Sequence, residues 1–286
     1  MIALVSGASG FVGSRLIPAL RAQGATVHAL EDEDGEVELR DGDRISAVVE
    51  RFSPEVIFHL GGISGPMVSP DDPVLVSDVN CLGTVNMLEA ACRAGVPRFV
   101  YASSVSGYDG GNFESSQPLS VYGATKRFGE MVLSIYRREE RILTTSARIG
   151  SVYGVGRFTV DIVGRMIDQA IGEGRIDYRV AGAMPLIHVD DLVRYLIALG
   201  ASEDPPEACD LVTQTATEEE LARMIAAALG HGREILRPLS VSGPTFPRHF
   251  TADIGGKFAG IGQHRLLLDS LGAMIEEVKA RRPNVS

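Results

Sequence analysis

The chain has no tryptophan, only three cysteines among 286 residues, and fewer basic than acidic side chains, 27 Lys and Arg against 37 Asp and Glu. Each scarcity excludes something. Cys81, Cys92 and Cys209 are odd in number and lack the paired spacing of a metal site, so neither a disulfide framework nor a bound metal is expected. They read as reduced, buried, small apolar residues of a cytoplasmic protein. A net charge of −10 argues against nucleic acid or an anionic membrane surface as a partner, because both reward basic patches. No apolar run reaches the ~18 residues of a membrane span. Ile2–Val5 is too short for a signal peptide and follows no basic segment. A cytoplasmic location is therefore expected. A phosphorylated small molecule stays in play, since backbone amides bind one locally.

Glycine is abundant, 32 residues, as suits a fold with many tight strand-to-helix turns. The length allows one full α/β domain and a smaller companion lobe. The apolar run Ile2–Val5 reads as a buried strand, and helical apolar spacing begins at Phe11. Between them lie Gly7, Gly10 and Gly13, with Ser9, Phe11 and Val12 in the same turn. Strand, glycine turn and helix together point to a dinucleotide site. Gly7 permits the sharp turn, Gly10 a close approach to pyrophosphate, and Gly13 close packing of helix on strand. Ala25–Leu30 reads as the second strand, ending at Glu31. A carboxylate about 20 residues beyond the glycines accepts from the adenosine 2′-hydroxyl and repels a 2′-phosphate, which favours NAD over NADP. The other reading of Glu31–Asp34 is a solvated acidic turn.

Further strands are expected at Glu55–Leu60, Pro97–Ala102 and Leu143–Ile149, with helices at Asp41–Phe52, Asn80–Ala94 and Val121–Arg138. That alternation predicts an α/β, Rossmann-type, doubly wound parallel sheet. Residues 1–150 are assigned to the NAD-binding domain, with 176–200 returning to it. Residues 151–175 and 201–286 are assigned to a small, mostly helical substrate lobe. A helix is expected near Val160–Ile171, a strand near Tyr178, a helix from His188 through Leu199, and another from a capping box of Thr217 and Glu220. Leu239–Pro247 reads as irregular, and a last helix spans about Arg265–Ala280.

Tyr122 and Lys126 are four apart at the head of a helix, so both lie on one face. A neighbouring ammonium lowers a phenol's pKa, which makes Tyr122 a candidate general base. Tyr101-Ala102-Ser103-Ser104 leaves a strand at the carboxyl edge of the sheet, where open α/β folds bind ligands. A serine there either orients a substrate oxygen or caps a turn. His59 reads as a packed, hydrogen-bonded residue, His188-Val189-Asp190-Asp191 as a helix cap with a charge pair, and Arg157 as a surface arginine.

Several motifs recur in one order: Gly7-x-x-Gly10-x-x-Gly13, His59-Leu60-Gly61-Gly62, Asn80-Cys81-Leu82-Gly83-Thr84, Ser103-Ser104, Tyr122-x-x-x-Lys126, Arg148 with Val152-Tyr153-Gly154, and His188-Val189-Asp190-Asp191. In them the chain resembles the extended short-chain dehydrogenase/reductases of the NAD-dependent epimerase/dehydratase group, over nearly its whole length. Nucleotide-sugar 4-epimerases are the nearest pattern. The resemblance implies Ser104, Tyr122 and Lys126 as the catalytic set, Ser104 being the serine four before Tyr108. It implies that Leu60, Gly61, Gly62 and Asn80 shape the NAD site and that Lys126 holds the nicotinamide ribose. Ser104, Tyr122, Ser151 and Arg248 would meet a sugar or nucleotide-sugar substrate. A homodimer through Asn80–Ala94 and Val121–Arg138 is also implied.

Departures narrow the reading. Val105 and Ser106 stand where dehydratases of the group carry an acidic pair. Ser151 replaces the epimerases' usual asparagine, and Met184-Pro185-Leu186 their Arg-Asp. A sugar epimerase leads. A simple dehydrogenase of a free sugar, sugar acid or other secondary alcohol stands second, and a non-catalytic NAD-sensing protein third.

Overall fold

The computed structural model describes residues 1–64, 72–108, 117–118, 120–139, 141–157, 161–180, 182–242 and 261–282. In chain order the strands are β1 (Ile2–Ser6), β2 (Thr26–Ala29), β3 (Glu31–Asp32), β4 (Gly35–Glu36), β5 (Val56–His59), β6 (Arg98–Ser104), β7 (Leu143–Ile149), β8 (Ser151–Tyr153), β9 (Ile176–Val180), β10 (Met184–His188), β11 (Ala208–Leu211), β12 (Gln214–Ala216) and β13 (Leu236–Ser242). The helices are α1 (Gly13–Ala22), α2 (Gly42–Phe52), α3 (Pro73–Ser77), α4 (Gly83–Arg93), α5 (Val121–Arg138), α6 (Ile162–Glu173), α7 (Val189–Ala201), α8 (Glu218–Ala228) and α9 (Leu267–Arg281).

The short apolar first strand becomes the middle of the fold because it can be buried on both faces. Ala3, Leu4 and Val5 are fully buried, and β1 pairs in parallel with β2 on one side and β5 on the other. The main sheet runs β11-β7-β6-β5-β1-β2, every pair parallel, so all six carboxyl ends reach one edge. Successive side chains alternate across it. Val5 and Phe58 face Leu16, Leu20, Leu192 and Leu196 of α1 and α7. Leu4, Ile57 and Phe99 face Ile45, Val49, Met87 and Leu133 of α2, α4 and α5. Each such large side chain contributes about 1.5–3 kcal/mol by leaving water. The doubly wound sheet expected from the sequence is present.

Three local outcomes differ from expectation. β11 joins the main sheet beside β7, whereas its residues were assigned to the small lobe. Four residues with little apolar pattern give no local sign of strand; pairing with β7 decides their state. β9 and β13 pair with each other away from the main sheet, so 176–180 does not return to it. Leu239–Ser242, expected to be irregular, belongs to β13 with a register shift between Leu239 and Ser242, and 243–247 lies outside the described residues. The helix expected to start at Asn80 starts at Gly83, behind a π-helical turn over Asp78–Leu82. Such turns are rare and concentrate at functional sites.

A second core gathers Tyr153, Met166, Ile167, Leu186, Leu221, Ile225, Leu271 and Met274, from α6, α8, α9 and the short strands between them. The usual order of a dinucleotide-binding sheet places one more strand beyond β2. Among the described residues none lies there. β2 is the edge, followed by the two-residue hairpin of β3 and β4. The cysteines are free and half-buried rather than fully buried.

Candidate active site

The glycine turn is sterically closed to a side chain at Gly7 and Gly13 and tight at Gly10. Gly7 has φ +67°, and a Cβ on it would stand 2.8 Å from the Gly61 nitrogen. A Cβ on Gly13 would overlap the Gly7 carbonyl oxygen, and one on Gly10 would stand 3.2 Å from it. α1 opens at Val12 with no side-chain cap and no acidic residue in its first turn, which suits this helix N-terminus to an anion. Leu60, Gly61 and Gly62 form the opposite wall. Gly62 has φ +145°, and a Cβ there would meet Asn80 Oδ1 at 2.8 Å and Lys126 Nζ at 3.7 Å. These bare backbone surfaces fit the pyrophosphate and nicotinamide half of NAD.

That wall is fixed from behind. The Gly61 N–H donates to Ser6 Oγ at 3.0 Å, and Ser6 Oγ lies 2.7 Å from His59 Nδ1. His59 Nε2 is 3.2 Å from Thr84 Oγ1, whose hydroxyl donates to the Asn80 carbonyl at 2.6 Å. One proton order satisfies all of them: Ser6 donates to Nδ1, and Nε2–H donates to Thr84. His59 is therefore neutral, its pKa pushed down to about 3 by burial and by the charge of Lys126. Asn80 uses its whole amide as a clip. It accepts from the Ile63 N–H at 2.8 Å and donates to the Ile63 carbonyl and Thr125 Oγ1, both at 3.0 Å. The packed, hydrogen-bonded reading of His59 agrees with this geometry.

Tyr122 enters on the first turn of α5, which Ser120 caps by accepting from the Gly123 N–H at 3.1 Å. Gly123 lies directly on the Ser106 carbonyl, where a Cβ would overlap it. This close crossing brings the turn after β6 against α5 and places the Ser104 hydroxyl beside the Tyr122 phenol. Ser104 Oγ also lies 2.7 Å from Ser106 Oγ. Lys126, one turn on, is buried, with Nζ 5.8 Å from the Tyr122 ring centroid and 4.9 Å from that of Tyr101. Burial pushes the Lys126 ammonium down to about 8. The expected lowering of the Tyr122 pKa is absent in the protein alone. Burial raises it, and the neighbouring Ser104 hydroxyl and the charge of Arg157 only partly oppose this.

The structure thus brings Ser104, Tyr122, Lys126, Asn80, Gly62 and the glycine turn to one edge of the sheet. Glu31 is exposed at the end of β2, directly across the hairpin from Glu36, and Ser9 Oγ donates to Glu36 at 3.2 Å. Ser151 opens β8, in register with Leu186 in the smaller three-stranded sheet. Arg248 lies outside the described residues. His188 caps α7 by accepting from the Asp190 N–H at 3.1 Å, and the buried Asp191 accepts from the Arg265 N–H at 2.8 Å.

Sequence reasoning passed over Glu130, Glu36 and the placement of Arg157. Glu130 is buried and accepts from Tyr108 at 2.6 Å, from Arg148 Nε at 2.8 Å, and from Ser103. It ties α5 to the ends of β6 and β7 directly behind Ser104. Its signal was present: an acid one turn after Lys126, on the buried face of the helix. Arg157, expected on the surface, is only 17% exposed. It lies 5.8 Å from the Phe11 ring centroid, pairs with Asp161 at 3.7 Å, and places its charge near Tyr122.

A parallel sheet with a bare glycine turn, and a Ser, Tyr and Lys grouped beside it, define a Rossmann-type dinucleotide-dependent enzyme. The sequence model of the NAD dependent epimerase/dehydratase family matches residues 3–211, and the chain belongs to that family. A UDP-glucose 4-epimerase of Mycolicibacterium smegmatis is 29% identical over 267 residues, 80% of this chain and 83% of that protein. MoeE5, solved with UDP-glucuronic acid and NAD, matches at TM-score 0.78 and 26% identity over 99% of this chain and 100% of its own. A UDP-glucuronic acid 4-epimerase from Bacillus cereus, solved with UDP-glucuronic acid and NAD, shares the fold at TM-score 0.82 and 22% identity, over 98% of this chain and 100% of its own. The protein is an NAD-dependent enzyme of this family.

Proposed function

We propose that the protein epimerises a nucleotide sugar by transient oxidation of a ring carbinol, with Tyr122 as base. The observation that carries this reading is the grouping of Ser104, Tyr122 and Lys126 beside the glycine cradle. Ser104 donates to the substrate oxygen and fixes its position against the phenol. Tyr122 takes the hydroxyl proton as the carbinol becomes a ketone, and returns it when the ketone is reduced. Lys126, buried beside the phenol and near Gly62, stabilises negative charge on Tyr122 and donates to the cofactor ribose. NAD held at the glycine turn would supply the acceptor for the hydride and its return. Turning the keto sugar before that return inverts the carbon, and no net redox change remains.

Ser106 favours epimerisation over dehydration. Its hydroxyl reaches Ser104, so that position faces the reacting oxygen, and it carries no carboxylate to remove a second proton. The relatives act on UDP-sugars by name, which makes UDP-glucose and UDP-glucuronic acid the first substrates to try. A simple dehydrogenase is the second reading, favoured by Ser151 and Pro185 in place of the family's nucleotide contacts.

The substrate site lies between the main sheet and the core of α6, α8 and α9. Among the described residues no helix is long and apolar enough to cross a membrane, in keeping with a cytoplasmic enzyme. Exposed Leu82, Val121, Met131 and Ile135 beside and along α5 support pairing of two copies across these helices. The test is Tyr122→Phe. It should keep NAD, measured by mass spectrometry of the denatured protein, and lose turnover of both UDP-sugars by roughly 10²–10⁴-fold. Preserved turnover would sink the assignment, and NADH accumulating one per product would move it to the dehydrogenase.

A further inference from the structure

The short acidic hairpin after β2 is unusual in what it leaves unpaired. Asp32 is turned away into a bidentate pair with Arg44, at 2.7 and 2.6 Å. Glu31 and Glu36 are direct cross-strand partners, which puts both side chains on one face of the hairpin. Like charges placed so are unfavourable in themselves. Among the described residues neither has an ion-pair partner. The Ser9 hydroxyl, donating to Glu36 at 3.2 Å, shows that this face turns toward the glycine turn. The hairpin follows directly on the carboxyl end of β2, so it delivers the second carboxylate only a few residues after the first.

We propose that Glu36 is a second selectivity carboxylate of the adenosine-ribose site, acting with Glu31 to exclude a 2′-phosphate. The proposal rests on NAD binding at the glycine turn. Two carboxylates accept from the ribose hydroxyls of NAD and together repel the added charge of NADP. Discrimination then persists when Glu31 alone is neutralised.

The purified protein, with whatever dinucleotide it carries, is brought to exchange equilibrium with NAD and increasing NADP. After desalting and denaturation, the bound dinucleotides are measured by mass spectrometry. The readout is the NADP excess that displaces half of the NAD. Glu36→Gln keeps an acceptor for Ser9 and removes only charge. It should lower that excess by roughly tenfold, as should Glu31→Gln, and the double variant by about a hundredfold. High salt should shrink the wild-type discrimination, as screening requires. If Glu36→Gln matches wild type while Glu31→Gln shifts, the second carboxylate is refuted. Equal wild-type retention of NAD and NADP refutes it as well. Retention of neither dinucleotide by the wild type would instead overturn the NAD reading on which the proposal rests.

Discussion

Replacing His59 by glutamine should change how the stability of this protein falls with acid. In the native state the ring is buried, accepts from Ser6, and has a pKa pushed from 6.5 down to about 3 by burial and the Lys126 charge. In the unfolded chain it protonates near 6.5. Between these values the unfolded state holds one more proton, so stability falls as pH falls, at up to about 1.4 kcal/mol per pH unit. The contribution of a neutral His59 is fully present above 6.5 and fades through that window toward about 3. From about pH 6 to about pH 4.5 the wild type should lose about 2 kcal/mol more than His59→Gln. Urea unfolding followed by circular dichroism across this range gives both curves, and subtraction cancels the carboxylates common to both. A difference that stays flat with pH would refute the buried neutral imidazole, and with it the proton order that fixes the Gly61 wall.

Glu130→Ala removes the acceptor shared by Ser103, Tyr108 and Arg148 and leaves Arg148 with Asp210 at 3.7 Å. Breaking a buried pair in this way costs about 3–5 kcal/mol, to be read from urea unfolding at neutral pH; a loss below about 1 kcal/mol would contradict the network. Gly123→Ala drives a methyl group into the Ser106 carbonyl. It should destabilise by about 1–3 kcal/mol and lower kcat more than it raises KM, because it moves Tyr122 away from Ser104. Wild-type stability and kcat in that variant would show the crossing to be looser than described.

The parts of this fold that were legible in the sequence are those specified locally. β1, the glycine turn and α1 announce themselves through an apolar run, three glycines and helical spacing. Tyr122 and Lys126 share a helix face by spacing alone. What was hidden depends on partners distant in sequence. Ala208–Leu211 is a strand because β7 offers it an edge, and Leu236–Ser242 because β9 does. The environment of Tyr122 was misjudged for a similar reason. Spacing shows the nearby ammonium, whereas burial, which raises the phenol's pKa, comes from the packed turn at Ser104–Gly107. Arg157 looked like a surface residue until the chain placed it between Phe11 and Asp161.

The central claim is that a hydride leaves a ring carbon and returns to that same carbon. The direct measurement is to supply a UDP-sugar deuterated at C4, the carbon named by the relatives' activity, and follow product by mass spectrometry and NMR. The account predicts the C4 epimer with its deuterium retained and no accumulation of NADH. Loss of the label to solvent, or stoichiometric reduced cofactor beside a keto product, would contradict it.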